Sequence, residues 1–186
     1  LPFPAVDDDS LAAGHLLDED GDGLARSAHR LPVPPVSARW RAVLEAAPDS
    51  EWVHLARAVN AHVRGERGRA AGQYAACLAA RENPWALRGL AVLADDARAC
   101  DLYARARRLR PDCRALAVEQ LERLLAAGQP RTCLSVIEAL DPGIRGHGRT
   151  RLLEARAWLA EGERGRVAEI MESLVSEATE TIDRLS

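Results

Sequence analysis

Four cysteines, at positions 77, 100, 113 and 133, are the first nucleophile or soft-metal candidates in this sequence. No two of them form a CxxC pair, and none has the close spacing that a zinc site needs. Each falls in or beside an alanine-rich helical stretch, so they read as small core residues with reduced thiols. The five histidines, His15, His29, His54, His62 and His147, form no HExxH or other helical metal pair. His54 and His62, eight residues apart, belong to one helical face. Asp18, Asp20 and Asp22 followed by Gly23 have the first half of a calcium loop, in which hard oxygen ligands alternate ahead of a sharp turn. The twelfth loop position is His29 rather than a bidentate Glu, so a solvated Asp/Gly turn is the expectation. The run Arg105, Arg107, Arg108 and Arg110 sits where cations complement the end of a helix. There is no GxSxG, no GxGxxG after a strand and no obvious carboxylate pair. The chain is therefore expected to be neither an enzyme nor the holder of a cofactor or metal.

The elements that position these residues follow from composition. Of 186 residues, 47 % are apolar but only 4 % aromatic. Alanine supplies the difference, which favours helix and is poorly suited to sheet. The 25 basic residues are all arginine. Without lysine the chain can form neither the P-loop contact to phosphates nor a pyridoxal Schiff base. A net charge of −3 and a pI near 6.0 argue against nucleic acid and acidic membrane surfaces as partners. No run of 18 apolar residues and no signal-peptide pattern occurs, so a cytoplasmic protein is expected. The start at Leu1 without Met is compatible with a piece of a longer polypeptide.

Residues 1–36 differ from the rest. Prolines at 2, 4, 32, 34 and 35, with Asp and Gly at 18–23, have the composition of an extended segment or linker. From residue 37 to 186 the pattern becomes helices of roughly 11 to 16 residues separated by Gly or Pro. The spacing predicts helices over 38–47, 51–64, 68–81, 84–94, 97–109, 113–127, 131–140, 148–161 and 164–177, with Pro48 and Pro142 as stops and Asn83-Pro84 as an N-cap with proline at the first helical position. A 34-residue period links Ala99, Cys133 and Val167; Tyr103, Ile137 and Met171; and Ala106, Leu140 and Leu174. The columns run back to Ala70, Tyr74 and Cys77 if one unit is five residues short near Ala94-Asp95-Asp96. Small residues Ala58, Gly89 and Ala155 mark first helices, and Gly65, Gly128 and Gly162 the turns after helices. A 34-residue helix-turn-helix period resembles the tetratricopeptide repeat over roughly residues 37–178. The third unit departs from it with Leu121 at the small position. An all-α class follows, and the resemblance implies a right-handed α-solenoid of about four such units after an extended N-terminal segment.

The resemblance also implies an interaction module whose first helices line a concave groove for a peptide or another domain. In one tetratricopeptide subset Lys and Asn clamp a terminal carboxylate. Here the matching positions hold Leu55, Val59, Ala86, Leu90, Val118, Glu122, Leu152 and Arg156, so the clamp is absent. The expected groove residues are Trp52, Leu55, Val59, Asn83, Leu90, Glu122, Arg149 and Arg156, apolar in the first half and mixed in the second. A protein or another domain of the same polypeptide is the expected occupant. The stretches PPVSARWRAVLEAAP, NPWALRGLAVL and GHGRTRLLEARAWLAEG are also similar to helical-repeat tails of large bacterial proteins whose preceding domains look carbohydrate-active. That likeness implies an accessory domain of a glycoside-processing enzyme and transfers no catalytic residue.

Overall fold

The computed structural model describes residues 38–185, and every regular element among them is helical. The calcium-type motif Asp18, Asp20, Asp22 and the extended segment expected over 1–36 lie outside the described residues. After Leu93 the chain passes from one compact unit to a second.

The first unit contains α1 (Ala38–Ala46), α2 (Glu51–Val63), α3 (Arg67–Ala80) and α4 (Pro84–Leu93). Ser50 starts α2, its hydroxyl accepting from the Val53 N–H at 3.2 Å, which satisfies one of the amides left open at a helix start. Arg57 performs the converse task for α1. From α2 it donates to the carbonyls of Leu44 and Ala47, both at 2.8 Å, and to Asp49 at 2.6 Å. The carbonyl end of α1 is thereby closed by a side chain only 11 % exposed.

Between α2 and α3 the chain turns through Gly65 at φ 76°. The Glu66 amide reaches back to the Ala61 carbonyl at 2.9 Å, the closure that a left-handed residue after a helix permits. Leu55, Ala58, Ala61, Ala70, Tyr74, Cys77 and Ala86 form one core cluster of this unit. Its closest approach is at Gly89 of α4, where an added Cβ would lie 2.2 Å from Tyr74 Cζ. The small residue thus lets α4 pass directly over the ring of α3.

The second unit contains α5 (Asp96–Leu109), α6 (Arg114–Ala126), α7 (Pro130–Glu138), α8 (Pro142–Arg145), α9 (Gly148–Ala160) and α10 (Arg164–Leu185). Asp95 caps α5 by accepting from the Arg98 N–H at 2.9 Å, so the connection from α4 takes only Ala94 and Asp95. Gly128 (φ 67°) and Gly162 (φ 86°) repeat the Gly65 turn, with Gln129 reaching Leu124 and Glu163 reaching Trp158, both at 2.9 Å. The core holds Leu121, Leu124, Cys133, Ile137, Leu140, Ile144 and Leu153 among others.

Two elements differ from the sequence expectation. Pro142 starts the one-turn helix α8 instead of only stopping α7. Its missing N–H is at a position where none is needed, and the Asp141 carboxylate accepts from the Gly143 amide at 2.8 Å. Helix α10 continues eight residues past the expected end at Glu177, since no Gly or Pro follows Gly165 to stop it.

Candidate functional site

The groove face expected from the sequence lies on α2 and α4 in one unit and on α6 and α9 in the other. In the first unit the expected groove residues are drawn into the packing. Trp52 is 9 % and Leu55 7 % exposed, and Leu55 is a member of the core. Val59 and Leu90 are half-buried against that same core. Asn83 is occupied twice: its carbonyl oxygen accepts from the amides of Trp85 (2.9 Å) and Ala86 (3.2 Å), capping α4, while its amide donates to Glu51 at 2.7 Å. The structure therefore gives Leu55 and Asn83 structural tasks and leaves Val59 and Leu90 at the margin of the surface.

In the second unit the corresponding face is open. Arg149 of α9 donates to Glu122 of α6 at 2.5 Å, a pair at the surface with 55 % and 39 % of its side chains exposed. Arg149, Leu152, Arg156 and Leu159 follow one another at three- and four-residue spacing, the period of one helical face. Leu152 is 40 % exposed, Leu159 56 %, and Arg156 is also exposed. Val118, one turn before Glu122, is half-buried against the core beneath. Three of the expected residues, Glu122, Arg149 and Arg156, thus share this face. Leu159 was not among them, although its seven-residue offset from Leu152 is the signal that marks it.

Most of the remaining chemistry-bearing groups are committed to structure, the half-buried Cys113 being the exception among the thiols. All four cysteines are free, and burial pushes the thiols of Cys77 to about 12 and Cys133 to about 11. At those values the thiolate needed for nucleophilic attack is scarce at neutral pH. Cys100 is raised by burial as well. His54 Nδ1 pairs with Gln73 Oε1 at 2.9 Å, and His62 Nδ1 with the Tyr74 hydroxyl at 3.2 Å. His147 caps α9, accepting from the Arg149 amide at 3.2 Å. Arg107 donates to Gln120 and Arg110 to Asp112, so two members of the arginine run are tied to their own unit.

A polar cleft of about 530 Å³ lies between Ile137, Glu138, Arg145, Arg151, Ser173 and Glu177. Arg151 pairs with Glu177 at 2.5 Å, and the Ser173 hydroxyl donates to the same carboxylate at 3.1 Å. Among the described residues no group of three His, Cys, Asp or Glu side chains could hold a metal ion, and no helix is long and apolar enough to cross a membrane.

No protein family's sequence pattern matches the chain, and no curated protein matches it. Solved structures do. A crystal structure of the MamA protein is similar at a TM-score of 0.65 and 14 % identity, covering 95 % of this chain and 92 % of that one. A second MamA crystal structure gives 0.64 at 14 % identity, covering 96 % and 99 %. A MamA point mutant gives 0.63 at 15 % identity, covering 89 % and 96 %. At such identity the likeness is one of fold. It agrees with the all-helical, tetratricopeptide-like class read from the 34-residue period.

Proposed function

We propose that this chain is a non-catalytic protein-interaction module and that the α6/α9 face of its second unit is the surface it uses. The observation that carries this is the stripe Arg149, Leu152, Arg156, Leu159, in which two exposed leucines alternate with two arginines. Exposed leucines in register on one helix favour an apolar occupant. The arginines ask for carboxylates or carbonyls beside it, so a polypeptide segment with alternating apolar and acidic groups fits the face. A nucleic-acid or lipid partner is disfavoured by the net charge of −3, and four free thiols fit a reducing compartment such as the cytoplasm.

The test compares proteins captured from source-cell extract by the immobilised chain and by Leu152→Glu/Leu159→Glu. A defined set should be lost in the double variant and retained by Val63→Glu, a control at a residue 67 % exposed in the other unit. Identical sets from all three would overturn the proposal. Where the occupant is another domain of a longer polypeptide, as the second resemblance implies, the same two substitutions should release that domain to proteolysis.

A further inference from the structure

Charge is divided unevenly along the chain. Residues 1–25 hold seven carboxylates and no arginine, whereas residues 38–93 hold eight arginines against five carboxylates and residues 94–186 fifteen against sixteen. The first unit is thus the cationic part of the molecule. Four of its five carboxylates are already held, Glu45 by Arg69, Asp49 by Arg57, Glu66 by Arg64 and Glu51 by Asn83. The surplus gathers where α2 ends and α3 begins. Arg67 is exposed and donates to the Leu93 carbonyl at 3.1 Å, a bond that does not neutralise it. His62, held below its ordinary value by partial burial and then by Arg67 and Arg88, marks where the two guanidiniums converge. Arg88 stands on a stripe of α4 with Trp85 and Val92, at three- and four-residue spacing. Trp85 is 42 % exposed and Val92 half-buried. The patch therefore sets cations beside an aromatic and an aliphatic surface, a combination that fits carboxylates next to apolar side chains.

We infer that the occupant is the chain's own Leu16-Leu17-Asp18-Glu19-Asp20-Gly21-Asp22, which lies outside the described residues, bound with its carboxylates on Arg67 and Arg88 and its leucines on Trp85 and Val92. No other stretch of the sequence places two adjacent leucines directly before four carboxylates within five residues. Length permits the contact. From Asp22 to Ala38, the start of α1 in the same unit, is 16 residues of chain, which span up to about 55 Å when extended. A compact unit of this size has a radius of gyration of about 10 Å. Segment and patch share one polypeptide, so each meets the other at an effective concentration in the millimolar range. Exposed ion pairs are individually weak, and at that concentration several weak pairs with two apolar contacts suffice. The inference is independent of the α6/α9 face, which belongs to the other unit.

The experiment uses the full 186-residue chain, with one cysteine placed in the segment and one on the helices, and follows disulfide formation within the chain under mild oxidation. Leu17→Cys with Val92→Cys should link at least about tenfold faster than Leu17→Cys with Ala75→Cys, Ala75 being exposed on the outer face of α3. Adding Asp18→Asn, Glu19→Gln, Asp20→Asn and Asp22→Asn to the first pair should remove most of that advantage. Raising salt from about 0.05 to about 0.5 M, which shortens the screening length several-fold, should reduce it too. Leu17→Cys alone is the blank for the chain's own thiols, of which Cys77, Cys100 and Cys133 are buried. Equal rates for the two pairs overturn the inference. So does an advantage that survives neutralisation of the four carboxylates. A link between chains instead of within one overturns it as well, by assigning the patch to a second copy. If Val92→Cys disturbs the helical circular dichroism, Trp85→Cys takes its place and the same outcomes decide.

Discussion

At Gly89 and Tyr74 a single missing methyl group sets the distance between two helices. Gly89→Ala would place a Cβ 2.2 Å from Cζ of a ring that is itself 3 % exposed, so the ring or the helix must shift. Overpacking of that kind costs about 1 to 3 kcal/mol. In a Tyr74→Ala background the clash is gone, and alanine's helix propensity, about 1 kcal/mol better than glycine's, should make the same change neutral or stabilising. A double-mutant cycle in urea measures the difference, and equal costs in both backgrounds would refute the contact. Beside that ring, His62 is held below its ordinary value of 6.5 by partial burial, and then by Arg67 and Arg88. The fold therefore favours neutral His62. Its contribution is fully present above the unfolded value, about 6.5, and is lost as pH falls from there through the lower folded value. The urea midpoint should drop between pH 7.5 and 5.5, and His62→Gln, which keeps a polar group near the Tyr74 hydroxyl, should flatten that slope.

Elements were legible in the sequence where one residue type has one physical use. Gly65, Gly128 and Gly162 all adopt positive φ, because a left-handed turn is what glycine does at low cost. Legibility failed where a residue has two uses. Pro142 can stop one helix or start another, and Asn83, which caps α4 as its place before Pro84 indicates, was also expected as a polar point of the groove. Leu55 lies on the helical face that the resemblance assigned to a groove, yet that face meets α4 and is buried. Arg57 was invisible because its partners, the carbonyls of Leu44 and Ala47, are backbone groups contributed by another element. It is the main polar tie between α1 and α2. Arg57→Met keeps the aliphatic packing but leaves those carbonyls without their donor, a loss of about 1.5 to 3 kcal/mol for bonds from a charged group. Hydrogen exchange should then accelerate over residues 38–47 before any other helix opens.

Across the whole molecule the repeat makes residues at one column comparable, so that burial alone ranks them. Tyr103, Ile137 and Met171 lie 34 residues apart, all in the second unit. The first two are 2 % exposed and the third 41 %, since α6 and α9 follow α5 and α7 while α10 has no successor among the described residues. Removing the side chain deletes packing in proportion to the neighbours it has. Tyr103→Ala should cost about 3 to 5 kcal/mol and Ile137→Ala about 2 to 5 kcal/mol, as large-to-small changes in a core. Met171→Ala should stay within about 0.5 kcal/mol, the range of surface changes. Urea denaturation gives all three costs. A large cost at Met171 would mean that a segment of the chain already covers the column. A small cost at Ile137 would mean that the 34-residue register does not describe how these helices pack.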